Sequence, residues 1–124
     1  MRLFPYSTTG IAFGAADAAR GAASPETVAE VVTFRLAESV ERDVFLKAAG
    51  DIEPFLRASG AVISRTLSVD EDGLWTDHIV WTSMSAAKQT AEELMAHPQA
   101  MPMMQAIAEG SASMRHASIV LTMD

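Results

Sequence analysis

The chain contains no cysteine, which removes disulfides, thiolate nucleophiles and zinc–thiolate sites from consideration. That composition suits a reducing cytoplasm, the compartment expected for it. Cations are scarce: nine Lys and Arg against sixteen Asp and Glu give a formal charge of −7. The basic residues are scattered and form no stripe, so no nucleic-acid surface is expected. No run reaches the ~20 apolar residues of a membrane-spanning helix, so no membrane partner is expected either. The sequence also lacks a glycine-rich phosphate loop, a nucleophile elbow and a dinucleotide fingerprint. Its three histidines have no close spacing that would suggest a metal site. A bound flavin, nicotinamide or metal therefore finds no support, and the expectation is no cofactor.

What remains is a globular composition. Of 124 residues, 49% are apolar and 20% charged, which fits one compact domain with a real core. Ser24-Pro25-Glu26 punctuates the chain and divides an N-terminal appendage, 1–24, from a domain at 25–124. The appendage carries Leu3, Phe4, Tyr6, Ile11 and Phe13, too many large apolar groups for a free tail. It is expected to pack on its own domain or across a dimer. Pro5 and Ser7-Thr8-Thr9 interrupt the continuous apolar stretch that a signal peptide needs.

Residues 27–36 are β-branched and nearly continuous, a first strand. Ser39 is the expected N-cap of a helix with Phe45, Ala48 or Ala49, Ile52, Phe55 and Leu56 on one face. Pro54 predicts a kink or break near 50–53, and Gly60 ends the helix. Residues 61–70 and 74–82 form a hairpin around Glu71-Asp72-Gly73. Ser85 is expected to cap a second helix, 86–96, with Ala86, Ala87, Thr90, Ala91, Leu94 and Met95 inward. His97-Pro98 interrupts it before a shorter helix at 99–109 that carries Met103, Met104 and Ile107. A last strand spans 113–123.

The order β-α-β-β-α-β is the ferredoxin-like split unit, α+β, with an antiparallel sheet in the order 4-1-3-2 and both helices on one face. The uncovered face is expected to carry Trp, Ile, Val and Met from several strands. Such a face is too apolar for a monomer, so a second copy is expected to cover it and make a homodimer.

Several runs resemble the dimeric α/β-barrel superfamily: PFLRASGAVISRTL, GLWTDHIVWTSMSAAKQTA, HPQAMPMMQAI and SMRHASIVL. Within that superfamily the sequence is most similar to proteins related to the antibiotic biosynthesis monooxygenases, over about residues 27–123. Ala61-Val62 departs from the glycine and aromatic that relatives often carry there. The resemblance implies a homodimer whose two sheets enclose a cavity. It also implies an activity drawn from cofactor-free oxygenation, haem degradation or isomerisation, or none at all.

Asp77 lies between Trp75 and Ile79 on one face of its strand, where an unpaired charge would cost several kcal/mol. Arg65 falls diagonal to it across the hairpin, so an Arg65–Asp77 ion pair is one reading. A catalytic base, or the orienter of a histidine, is the other. His116, two strands away, is a candidate for proton transfer in the cavity. His78, on the opposite face from Asp77, is expected to pack under a helix. His97 is expected to meet free carbonyls at a helix end. Trp75 and Trp81 serve either as core or as stacking walls. Met104 belongs to a cluster with Met95, Met101, Met103 and Met114 that lines an adaptable apolar pocket or fills core. Arg35, at the end of the first strand, is placed either to reach an anionic ligand or to meet an acid.

Two functions stay open. One is a cofactor-independent monooxygenase or isomerase for a small apolar or aromatic substrate. In it His116 or Asp77 is the base, and Arg65 or Arg35 stabilises an oxyanion. The other is a non-catalytic dimer that binds a small apolar ligand or serves as a scaffold. An open pocket of at least ~300 Å³ favours the first, and a closed Arg65–Asp77 pair favours the second.

Overall fold

The computed structural model describes residues 26–123. The appendage expected over 1–24 lies outside them. Strand β1 spans Val28–Phe34, β2 Val62–Val69, β3 Trp75–Trp81 and β4 Ser113–Ser118. They form one antiparallel sheet in the order β2-β3-β1-β4, the expected 4-1-3-2 read from the other edge. Between β1 and β2 lie α1, Arg42–Asp51, and α2, Glu53–Ala58. Between β3 and β4 lie α3, Met84–Met95, a 3₁₀ turn at Pro98–Ala100, and α4, Met101–Gln105. The fold is α+β and ferredoxin-like.

Each helix boundary has a local cause. Pro54 sits in the first turn of α2, where its missing N–H costs nothing, and α1 ends just before it. Gly60 (φ +69°) and Gly73 (φ +86°) take left-handed conformations, one after α2 and the other in the β2–β3 turn. Two expected caps are corrected. Glu41, not Ser39, precedes α1 and makes no side-chain cap bond. Ser83, not Ser85, caps α3, with its hydroxyl accepting the Ala86 N–H at 3.1 Å. Strand β4 stops at Ser118, short of the expected 123, and Val120, Leu121 and Met123 are exposed.

The strand registers divide the sheet into two faces. Opposed pairs put Val28, Glu30, Val32 and Phe34 on one face with Trp75, Asp77, Ile79 and Trp81, Arg65 and Leu67, and Met114 and His116. This is the helix-covered face: Ile79 and Trp81 pack with Ile52, Leu56 and Ala87, and Trp75 and Phe34 with Phe45, Ala49 and Ala106. The open face carries Ala29, Val31, Thr33, Thr76, His78, Val80, Arg115 and Ala117.

The expectation that the open face holds Trp, Ile and Met is therefore wrong. The large apolar groups lie under the helices, and apart from His78 and Arg115 the open face is made of small and β-branched side chains. His78 accordingly lies on the open face rather than beneath a helix. Both faces of β3 lack a charged residue at most positions, so alternation alone does not say which one the helices take.

The β2–β3 turn is closed by Asp70. Its Oδ1 accepts the Leu74 N–H at 2.9 Å and the Asp72 N–H at 2.8 Å. The Leu74 amide is the main cause that lowers the Asp70 carboxyl below its ordinary 3.8. A lowered folded-state pKa gives stability that is present above the unfolded value and is lost as pH falls through the folded one. Asp70→Asn is therefore expected to be less stable than the parent at neutral pH. That gap should close as pH drops below about 3.8, followed by urea unfolding at a series of pH values.

Candidate functional site

A cleft of about 210 Å³ lies between the sheet and the helices of one subunit. Its floor is the helix-covered face of β1 and β3, with Glu30, Val32, Asp77, Ile79 and Trp81. Its roof comes from α2, α3 and α4, including Leu56, Ala91, Leu94 and Met103. This cleft is built by one subunit alone; a cavity between the two sheets of a dimer would lie on the opposite, open face of the sheet. The cleft falls short of the ~300 Å³ lower end of ordinary ligand sites.

Each tryptophan anchors one of the two core clusters beside the cleft. Trp75 stacks on Phe34 at 6.3 Å and meets Phe45 edge-on at 5.0 Å, which encloses it in an aromatic core. It does not line the cleft, while Trp81 does. Met103 packs against both clusters. Met104 and Met114 line the cleft as well, and Met95 lies at its rim, 64% exposed rather than inward. Met101 does not line it. The roof is held at one end by main-chain bonds: Ala37 N–H donates to Ala106 O, and Ala108 N–H to Arg35 O, both at 2.8 Å.

Arg65 and Asp77 form the expected pair. Arg65 Nε donates to Oδ1 at 3.0 Å and Nη2 to Oδ2 at 2.9 Å, a two-pronged fork. Nη1 donates to the Ala49 carbonyl at 2.8 Å, satisfying one of the free carbonyls in the last turn of α1. Arg65 therefore ties β2, β3 and α1 together. Asp77 borders the cleft with its charge already matched.

Asp77 and His116 do not converge. Between their strands lies β1, and on it Glu30, a residue the sequence reading passed over. Its side chain is buried at the cleft floor. Trp81 Nε1–H donates to Glu30 Oε1 at 3.2 Å, and His116 Nε2 lies 3.0 Å from Oε2. At that separation a proton lies between the two, whichever group carries it. His116 Nδ1 is buried and has no partner among the described residues. The signal for Glu30 was its parity: within β1 it is the one charged residue in the alternating set Val28, Glu30, Val32 and Phe34.

Two other candidates lie away from the cleft. Arg35 is exposed, and its Nη1 donates to the Asp72 carbonyl at 2.7 Å across a separate surface groove. His97 does not meet free carbonyls. Its Nδ1 accepts the Gln99 N–H at 3.2 Å and starts the 3₁₀ turn, and its ring lies edge-on to Phe55.

Arg65 and Asp77 have side chains only 10% and 13% exposed, so removing one partner strands the other. Arg65→Ala is expected to cost ~3–5 kcal/mol, whereas Arg65→Met combined with Asp77→Leu should lie within about 1 kcal/mol of the parent. Urea unfolding of both variants checks this. A cost below about 1 kcal/mol for the single change would show that the pair is not what holds β2 to β3.

No family model matches the chain, and no curated protein matches its sequence. Solved structures do match in fold. A Caulobacter crescentus protein, provisionally described as an antibiotic biosynthesis monooxygenase, is 16% identical with a TM-score of 0.63, over 79% of this chain and 93% of its own. A dimeric ferredoxin-like protein from an uncultured marine organism is 9% identical with a TM-score of 0.62, over 80% and 92%. SnoaB, a cofactor-independent oxygenase from Streptomyces nogalater, is 16% identical with a TM-score of 0.61, over 78% and 96%. At such identities the likeness is one of fold. The structural neighbours of this chain are antibiotic biosynthesis monooxygenase-like and dimeric ferredoxin-like proteins.

Proposed function

We propose that this protein is a homodimer whose subunits each bind a small apolar or aromatic molecule in the cleft between sheet and helices. It would act on that molecule without a cofactor, as a monooxygenase or isomerase. The observation that carries this reading is an apolar cleft with a carboxylate in its floor, backed by a histidine. Proton abstraction would start the reaction. Returning the proton to another carbon completes an isomerisation; alternatively, dioxygen adds to the carbanion and takes up the proton as a hydroperoxide, which loses water with a second hydrogen of the same carbon and leaves a carbonyl. The cofactor-independent oxygenase among the fold neighbours supports this chemistry. The size of the cleft favours one or two rings: a dry cavity of ~150 Å³ takes up benzene.

The second copy would cover the open sheet face, as a neighbour described as dimeric suggests. Val31, Val80, Ala29 and Ala117 are small enough for two sheets to approach closely. Among the described residues no helix is long and apolar enough to cross a membrane.

Two observations favour the non-catalytic alternative, and the first is that the cleft, at about 210 Å³, is smaller than the ~300 Å³ expected of the enzyme. The second is that the Arg65–Asp77 fork is closed, so Asp77 is occupied and the cleft loses one of its candidate bases. In that reading the protein binds its ligand and does not turn it over.

Native mass spectrometry of the freshly purified protein, followed by incubation of the bound compound with protein and air, tests the proposal. A dimer carrying a one- or two-ring compound, converted to an isomer or to a carbonyl product that has gained one oxygen and lost two hydrogens, with the second oxygen released as water, is the expected result. A bound compound returned unchanged supports the alternative. An empty monomer contradicts both. Ala91→Phe, which fills the cleft from α3, should abolish retention of the compound.

A further inference from the structure

We propose that Glu30 is the recognition group of the cleft: its carboxylate accepts the hydrogen of a neutral O–H on a one- or two-ring apolar ligand, and the cleft rejects anions. This rests on reading the cleft as a ligand site. Among the residues lining it, Glu30 and Asp77 are the charged ones, and both are acids. The cation beside them, Arg65, is committed to Asp77 and to the Ala49 carbonyl. An anionic ligand would meet two carboxylates with no cation to spare, inside walls that do little to screen the repulsion.

The two carboxylates differ in what holds them. Asp77 is gripped through both oxygens by a permanently charged fork. Glu30 takes one hydrogen bond from the neutral indole of Trp81 and shares a proton with His116. Glu30 Oε1 takes only the Trp81 N–H, and an oxygen of this kind has two lone pairs, so it keeps capacity for another donor. Trp81 and His116 reach Glu30 from the strands on either side of β1. The direction left open is toward the helices, where the cleft lies. A ligand hydroxyl placed there can donate to Glu30. When the proton transfers, the ligand O–H bond breaks, Glu30 gains the hydrogen, and the electron pair stays on the ligand oxygen.

Three probes test this on the full-length protein: 2-naphthol, 2-methoxynaphthalene, which has no donor, and 2-naphthoate, which is an anion. The unaltered protein should bind 2-naphthol at least about ten-fold more tightly than the methyl ether, and 2-naphthoate more weakly than either. Excited 2-naphthol is a strong acid, so the bound probe should emit as naphtholate. Glu30→Gln should remove that emission and bring 2-naphthol to the affinity of the ether. Equal affinity for 2-naphthol and the ether in the unaltered protein, or naphtholate emission that survives Glu30→Gln, overturns the role of Glu30 and leaves the cleft as a binding site. Binding of none of the three overturns the cleft reading and this proposal with it. If Glu30→Gln does not fold, the comparison of probes in the unaltered protein decides.

Discussion

Arg65 reaches diagonally across the β2–β3 ladder to Asp77 and upward to the last turn of α1. Because one guanidinium serves two strands and a helix, it fixes the hairpin register and the height of α1 above the sheet together. A slip of one residue in β2 would turn Arg65 to the open face and leave Asp77 unpaired beneath the helices. The pair is a weak source of net stability, since both charges lose hydration. Its effect is to make every other register worse. The rest of the floor is arranged around it. From β2 to β4, the helix-covered face carries Arg65, Asp77, Glu30 and His116, with the two acids between the arginine and the histidine.

That polar row explains where the cleft forms. On either side of it the sheet is packed to high density, around Trp81 on one flank and around Trp75, Phe34 and Phe45 on the other. Above the carboxylates the roof is made of Ala91, Leu94, Met103 and Met104, none of them β-branched. Methionines there can move aside for a guest more readily than β-branched residues. The apolar walls raise the electrostatic weight of whatever meets Glu30, because a surround of low polarity screens a charge weakly. The same fold hosts different chemistry in different proteins. Any function specific to this one resides in these few groups rather than in the sheet.

Strand order, the break at Pro54, the turn at Gly73 and the Arg65–Asp77 pair were all legible in the sequence, because each follows from a local rule. The face assignment was not. In β3 the alternation Trp75, Asp77, Ile79, Trp81 against Thr76, His78, Val80 offers two half-apolar faces, and only the helices decide between them. With the faces exchanged, His78 is expected beneath a helix, whereas it lies on the open face. Caps were misplaced by two residues because Ser39 and Ser85 have the right side chain, while Ser83 has the right backbone geometry. Glu30 was hidden by its neighbours: in a run of valines a single acid reads as strand-edge decoration, although its parity puts it on the covered face.

The site proposed for the ligand is the cavity inside one subunit, over Glu30 and Ile79 and beneath the helices. Crystals pressurised with xenon test it directly, since dry apolar cavities take up the gas. Xenon density between Ile79 and Met103 in every subunit is the predicted result. Xenon found only between the open sheet faces of two copies, near Val31 and Val80, would contradict it.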